Sequence, residues 1–182
     1  QIISSWLSPL KYFGKQQRLM SECVEPCGQW FLNSEEFLYW VEVQNFRLQC
    51  WGDAGSGKTM ISSIVVNHLQ QYVDTSSCPV MVIYLDHTQG TQQEPVYLLG
   101  SLLDQLIGGS MERHQAVLTE PYARSRKGQS KPYLCRRCRQ DQEESCSDKT
   151  CVRNMLYAEL RRYTRSFLVV DALDECSEEV KQ

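Results

Sequence analysis

Apolar residues recur at spacings of three and four in four stretches of the chain, and this periodicity predicts four amphipathic helices. The longest stretch, TMISSIVVNHLQQYV, covers residues 59–73. A second helix is expected to follow NSEE, with Asn33 as its N-cap and Glu36 three residues later. The other two are EPVYLLGSLLDQLI at 94–107, with Pro95 in its first turn, and VRNMLYAELRRY at 152–163.

Shorter apolar stretches predict β-strands. In the first of them Phe46, Leu48 and Cys50 alternate with polar residues. The other two contain continuous apolar runs, and the last is expected to be a central strand buried on both faces. Because predicted strands and helices alternate, we expect an α/β fold with a parallel sheet flanked by helices. The three stretches are NFRLQCW (45–51), PVMVIYLD (79–86) and SFLVVDALDEC (166–176).

A glycine-rich stretch joins the first predicted strand to the longest predicted helix. Residues 52–59 read GDAGSGKT, which matches the phosphate-loop (Walker A) pattern G-x-x-x-x-G-K-[ST]. Glycines in such a loop let successive backbone N–H groups turn inward, and the helix N-terminus adds partial positive charge. Lys58 is expected to reach the β- and γ-phosphates, and the Thr59 hydroxyl to bind Mg²⁺. The predicted nucleotide-binding residues are Gly52, Asp53, Ala54, Gly55, Ser56, Gly57, Lys58, Thr59 and Met60.

Three carboxylates follow the apolar run of the last predicted strand. They belong to Asp171, Asp174 and Glu175, and in open α/β sheets ligands bind at the carboxyl ends of the strands. Asp171 is expected to hold Mg²⁺ with Thr59, while Asp174 or Glu175 polarises the attacking water as a general base. The order of strand, glycine loop, helix and acidic strand therefore predicts a site for a nucleoside triphosphate with magnesium.

Composition narrows the class of protein. A chain of 182 residues suits one domain or a piece of a larger protein, and the lack of an initiating Met favours a piece. The formal net charge of −3 gives no overall attraction for nucleic acid or an anionic membrane, and no apolar run approaches the roughly 20 residues of a membrane span. The start of the chain lacks the features of a secretory signal. The nine cysteines are an odd number without an evident secreted framework, so with a nucleotide motif present we expect them to be reduced and the protein to be cytoplasmic.

The two nucleotide motifs resemble those of a known family. GDAGSGKT together with FLVVDALDEC is similar to the NACHT-type NTPases of the STAND signalling class, in particular the nephrocystin-3-like N-terminal NTPase domains of fungal ankyrin-repeat and other repeat proteins. The resemblance implies a P-loop NTPase fold that binds ATP or GTP and uses nucleotide state to control self-association and signalling. We expect a helical lead-in at 1–44 and an NTPase core at 45–182, truncated after the acidic (Walker B) strand, with regions for signalling partners outside this sequence.

One stretch departs from the family pattern. Residues 127–151 contain few apolar residues, and seven basic residues with no acidic one lie between 124 and 139. A zinc site could use four thiolates, but seven residues between the two pairs is tighter than the usual spacing of about a dozen or more, so zinc is not expected. An exposed, solvated insertion is the favoured interpretation. The cysteines, spaced C-x2-C-x7-C-x4-C, are Cys135, Cys138, Cys146 and Cys151.

Two functions of different classes remain. The first is a switch that binds ATP or GTP with Mg²⁺ and hydrolyses it slowly within a signalling protein. The alternative is a non-catalytic module whose cysteine-rich basic insert binds zinc or nucleic acid. Lys58, Thr59, Asp171 and Glu175 together favour the first. DALDE in place of a D-x-x-G motif argues against a small G-protein, and the sequence does not decide between ATP and GTP.

Overall fold

The computed structural model describes residues 7–24, 27–86, 88, 93–108 and 148–175, with the side chains of 148–150 and 175 outside the described set. A 3-10 turn at Leu173–Glu175 follows the last strand. The helices are α1 (Tyr12–Glu22), α2 (Gln29–Leu32), α3 (Glu35–Glu42), α4 (Lys58–Tyr72), α5 (Pro95–Ile107) and α6 (Asp148–Leu160), and the strands are β1 (Val80–Tyr84) and β2 (Phe167–Asp171).

All four helices predicted from the periodicity are present, as α3, α4, α5 and α6. α5 has Pro95 in its first turn, as predicted. The start of α3 differs by one residue, because Ser34 is the N-cap and its Oγ accepts the Phe37 N–H at 3.3 Å. Asn33 ends α2 instead, with its N–H bonded to the Gln29 carbonyl. The prediction of an Asn33 cap is therefore wrong, because that residue is already used by the preceding helical turn.

β1 and β2 pair as parallel strands, in a register that places Tyr84 opposite Asp171. Gln105 of α5 closes the other edge of β1. Its Oε1 accepts the Val82 N–H and its Nε2 donates to the Val82 carbonyl, both at 2.9 Å. A side-chain amide thus makes the two hydrogen bonds that a neighbouring strand would make there. Within the described ranges, the sheet has two strands, and β1 is its capped edge.

β2 is covered on one face. Phe167 and Val169 pack with α4 in an apolar cluster. Leu168 and Val170 alternate to the opposite face, where they are 45% and 39% exposed. The prediction that this strand is buried on both faces is therefore wrong for the part of the chain that the structure describes, because a helix lies against only one of its faces.

The first predicted strand does not form. Residues 46–53 have no regular secondary structure, and Phe46 and Trp51 are 44% and 89% exposed. Leu48 alone of the alternating residues packs against a core cluster. A strand requires a paired neighbour, and neither described strand pairs with this segment.

Two apolar clusters connect the elements. The larger one joins β1, α5 and α6 and includes Leu7, Leu10 and Tyr12 from the start of the described chain. The smaller one joins α3, α4 and Phe167. The result is a mixed α/β arrangement around a parallel strand pair. None of the helices in the described ranges is long and apolar enough to cross a bilayer.

Candidate functional site

The glycine-rich loop leads directly into α4. Gly57 is the N-cap of this helix, with φ 89°, and Gly55 has φ 79°. Both values lie in the left-handed region, which glycine adopts without the steric cost that a Cβ brings. At Gly52 a Cβ would lie 2.8 Å from the Ser56 Oγ, so the loop packs closely there. The backbone path thus favours glycine at positions 55 and 57, whereas at Gly52 it is the Ser56 side chain that restricts the space.

The N-terminus of α4 presents backbone donors. Gly57 has no side chain to cap this end, and the first backbone hydrogen bond of the helix runs from the Ile61 N–H to the Gly57 carbonyl at 3.0 Å. The N–H groups of Lys58, Thr59 and Met60 therefore have no acceptor within the helix. Residues 51–57 are exposed, so an anion has access to this partly positive helix end.

Lys58 folds back onto the loop that precedes it. Its ammonium donates to the carbonyls of Gly52 and Asp53, each at 2.7 Å. The Ser56 N–H also donates to the Asp53 carbonyl, at 3.2 Å, and closes a turn. The Lys58 ammonium therefore lies against the loop that precedes its own helix. An ammonium has three donors, and these loop carbonyls supply acceptors within its reach.

Asp171 lies at the carboxyl end of β2 and is only 5% exposed. Its Oδ1 accepts the hydroxyl of Ser62, from α4, at 3.3 Å. Its backbone carbonyl accepts the Leu85 N–H at 3.1 Å. The predicted acidic residue therefore lies beside the first turns of the helix that the glycine-rich loop begins.

Ser62 is a residue that the motif did not identify. It follows Thr59 by three positions, so the two hydroxyl side chains share one face of α4. Thr59 is half-buried, and Ser62, one turn further along, makes the bond to Asp171. Hydroxyl and carboxylate oxygens are the ligands that Mg²⁺ prefers, so the donor set of Thr59 and Asp171 fits this ion. The spacing of three on a predicted helix is the signal from which Ser62 could have been found.

The remaining acidic residues follow in a turn. Ala172 has φ 56°, an uncommon value for a residue other than glycine, and redirects the chain after β2. Asp174 is exposed in the 3-10 turn, and the side chain of Glu175 lies outside the described set. The general-base assignment to Asp174 or Glu175 stays a prediction.

Behind the site lies a buried hydrogen-bond network formed by residues of three elements. Gln16 of α1 donates its Nε2 to the Ser63 carbonyl of α4 at 2.9 Å and accepts the Tyr84 hydroxyl of β1 on its Oε1. We call these three residues the Gln16 network. Burial raises the pKa of Tyr84, and the nearby Asp171 carboxylate raises it further. No sequence motif indicated Gln16 or Tyr84, because the partners are far apart in the chain.

The cysteine-rich insert falls mainly outside the described residues, as do three of its four cysteines. Cys151 is described, and it is buried in the larger apolar cluster at the start of α6. In the described part of the chain, no three His, Cys, Asp or Glu side chains converge as a metal site would require.

Comparison with known proteins gives one match. A family model described as "Nephrocystin 3, N-terminal" covers residues 26–182, which includes the glycine-rich loop and Asp171 but not α1. No curated protein and no solved structure matches the chain. Because the matched range exceeds half of the sequence, the chain belongs to the Nephrocystin 3, N-terminal family.

Proposed function

We propose that this chain is a P-loop NTPase module of the NACHT/STAND type, which binds ATP or GTP with Mg²⁺ and hydrolyses it slowly as a switch. One observation carries the proposal. The buried Asp171 carboxylate accepts the hydroxyl of Ser62, the fifth residue of α4, at 3.3 Å, so it lies within about one turn of the start of the helix that the glycine-rich loop begins. A glycine loop that offers backbone donors, next to a carboxylate at a strand end, is an arrangement suited to phosphate and a divalent cation.

The loop supplies the phosphate contacts. Backbone N–H groups of Lys58, Thr59 and Met60 donate to phosphate oxygens at the start of α4. Lys58 exchanges its bonds to the Gly52 and Asp53 carbonyls for bonds to the β- and γ-phosphates. The exchange is favourable because an ammonium binds an anionic oxygen more strongly than a neutral carbonyl.

The acidic strand end supplies the metal and water contacts. Thr59 and Asp171 hold Mg²⁺, which neutralises charge on the phosphates when it is bound. Asp174 or Glu175 accepts a proton from the water that attacks the γ-phosphorus, and the bond to the leaving nucleoside diphosphate breaks. In the switch that we propose, the nucleotide state controls self-association or the binding of signalling partners in the cytoplasm.

The test is a titration of the purified chain with Mg-ATP and Mg-GTP. Lys58→Ala should weaken the affinity at least about tenfold, because a hydrogen bond to a charged group contributes about 1.5–3 kcal/mol. Arg153→Ala is the matched control, since it removes an exposed positive charge from α6 instead of from the loop. Equal affinity in wild type and Lys58→Ala would contradict the phosphate-loop assignment.

Hydrolysis is tested separately. Glu175→Gln should retain nucleotide and lose turnover, because an amide keeps the shape of the side chain but does not accept the proton. Asp174→Asn makes the corresponding change at the other candidate, so a comparison of the two variants assigns the general base to one residue. Full turnover in both variants would exclude them as the general base.

A further inference from the structure

α1 is a helix that depends on its neighbours. It has 11 residues, no side-chain N-cap, no acidic residue in its first turn and no basic residue in its last. Helices shorter than about 12–15 residues are marginal in water, so packing must supply their stability. Within α1 only Tyr12 and Gln16 are buried. Leu19 and Met20 pack against the two apolar clusters but are only partly buried. With two buried residues in 11, α1 is a segment that can open locally while the rest of the domain stays folded.

Gln16 is a buried polar link between α1 and two neighbouring elements, α4 and β1. The Ser63 carbonyl can only accept a hydrogen bond, so it orients the Gln16 amide with Nε2 towards α4 and Oε1 towards Tyr84. Gln16 is 7% exposed and Tyr84 is fully buried. Buried polar groups are costly when they lose a partner, so the docked position of α1 is closely defined.

The same network borders Asp171 on two sides. Ser63 follows Ser62, whose hydroxyl donates to Asp171 at 3.3 Å. Tyr84 lies directly opposite Asp171 in the strand ladder. α1 also packs against α4 and β1, the two elements that carry these neighbours. A movement of α4 or of the β2 end therefore changes the geometry that Gln16 must satisfy.

We infer that Gln16 is a positioning residue that couples the docking of α1 to the nucleotide site through Ser63 and Tyr84. The inference rests on the proposed function, because nucleotide with Mg²⁺ at α4 and Asp171 is the ligand that it couples. α1 has a docked and an open state, and the ligand favours the docked state by fixing α4 and Asp171. By linkage, docking of α1 strengthens nucleotide binding by the same factor. A partner that captures the open α1 would release nucleotide.

The experiment follows amide hydrogen exchange of α1 in the whole chain, with and without saturating Mg-ATP or Mg-GTP. In wild type we expect nucleotide to slow exchange in α1 about fivefold or more, which is the lower end of typical coupling factors. Gln16→Met preserves side-chain length and removes both hydrogen bonds. It should abolish this slowing and weaken nucleotide affinity by a similar factor. Gln17→Met, at an exposed position on the same helix, should behave as wild type.

A second arm needs no nucleotide. Asp171→Asn should accelerate exchange in α1 several-fold, although no hydrogen bond joins Asp171 to that helix, because it perturbs Ser62 and the β2 end. Asp74→Asn is the control, since Asp74 caps an exposed turn through Ser76 and Ser77. Tyr84→Phe, which removes only one bond of the Gln16 network, should give an intermediate effect and replaces Gln16→Met if that variant does not fold.

The outcomes separate the two proposals. If nucleotide binds and exchange in α1 is unchanged, the coupling is wrong and the proposed function stands. If no nucleotide binds, the proposed function is wrong, and the second arm decides the coupling alone. Unchanged hydrogen exchange of α1 in Asp171→Asn would then overturn the coupling. Faster exchange of α1 in Asp171→Asn than in Asp74→Asn would support it.

Discussion

Two buried tyrosines in edge-to-face contact allow one chemical change to be compared in two environments. Tyr12 and Tyr84 are 6% and 0% exposed, and their ring centroids are 6.0 Å apart. The Tyr84 hydroxyl donates to Gln16, whereas the Tyr12 hydroxyl has no hydrogen-bond partner among the residues that the structure describes. Replacement of either residue by Phe removes one oxygen atom and leaves the ring in place.

The expected effects have different signs. Tyr84→Phe leaves the buried Gln16 Oε1 without its donor, and an orphaned buried polar atom costs about 1–3 kcal/mol. Tyr12→Phe removes a hydroxyl that is already buried without compensation, so the free energy of unfolding should stay constant or rise by up to about 1 kcal/mol. A gap of about 2 kcal/mol between the variants corresponds to a roughly 30-fold difference in the ratio of folded to unfolded protein.

Urea denaturation of wild type and both variants measures this gap. The slope of the free energy against urea should be equal in the three proteins, because the surface exposed on unfolding is nearly the same. Tyr84→Phe should then have the lower midpoint, and in a thermal scan its melting temperature should lie about 4–8 °C below that of Tyr12→Phe. Equal destabilisation of both variants would show that the hydroxyl bonding described for this network is incorrect.

Two further predictions concern glycine packing and alkaline pH. Gly100→Ala should destabilise the fold, because its Cβ would lie 2.4 Å from the Leu7 carbonyl oxygen, whereas Gly14→Ala, with open space at its Cβ, should stabilise α1 by about 0.5–1 kcal/mol in urea denaturation. Burial raises the pKa of Tyr12 and of Tyr84, so the folded state retains protons that the unfolded chain loses above about pH 10. The free energy of unfolding should therefore fall as pH rises past that value, and each Tyr→Phe variant should fall less steeply.

Local sequence patterns correctly predicted the helices whose start is determined by residues close to it in the chain. α5 begins where Pro95 and the apolar spacing indicate, and α4 begins at Lys58 because Gly57 adopts the left-handed conformation that the motif provides. The segment around Phe46 has the alternation of a strand, but strand formation depends on a neighbour that no local pattern encodes. The same reason accounts for Leu168 and Val170, whose apolar character predicted burial on a face where the described residues supply no helix.

The candidate site likewise combines residues that a local sequence pattern can identify with residues that it cannot. The proposed phosphate loop could be predicted from sequence because such a loop uses consecutive backbone N–H groups for one ligand, which requires adjacent residues such as Gly57 and Lys58. A carboxylate beside that loop requires only a strand that ends there, so an apolar run followed by an acidic residue was enough to predict Asp171. The contacts that position the Asp171 carboxylate do not require their residues to be adjacent in the chain. Ser62 of α4 bonds to Asp171, and Gln16 of α1 bonds to Tyr84, which lies opposite Asp171 in the strand ladder. Variation at positions like these therefore leaves both motifs intact while changing how the site is held, and a search by motif alone does not detect it.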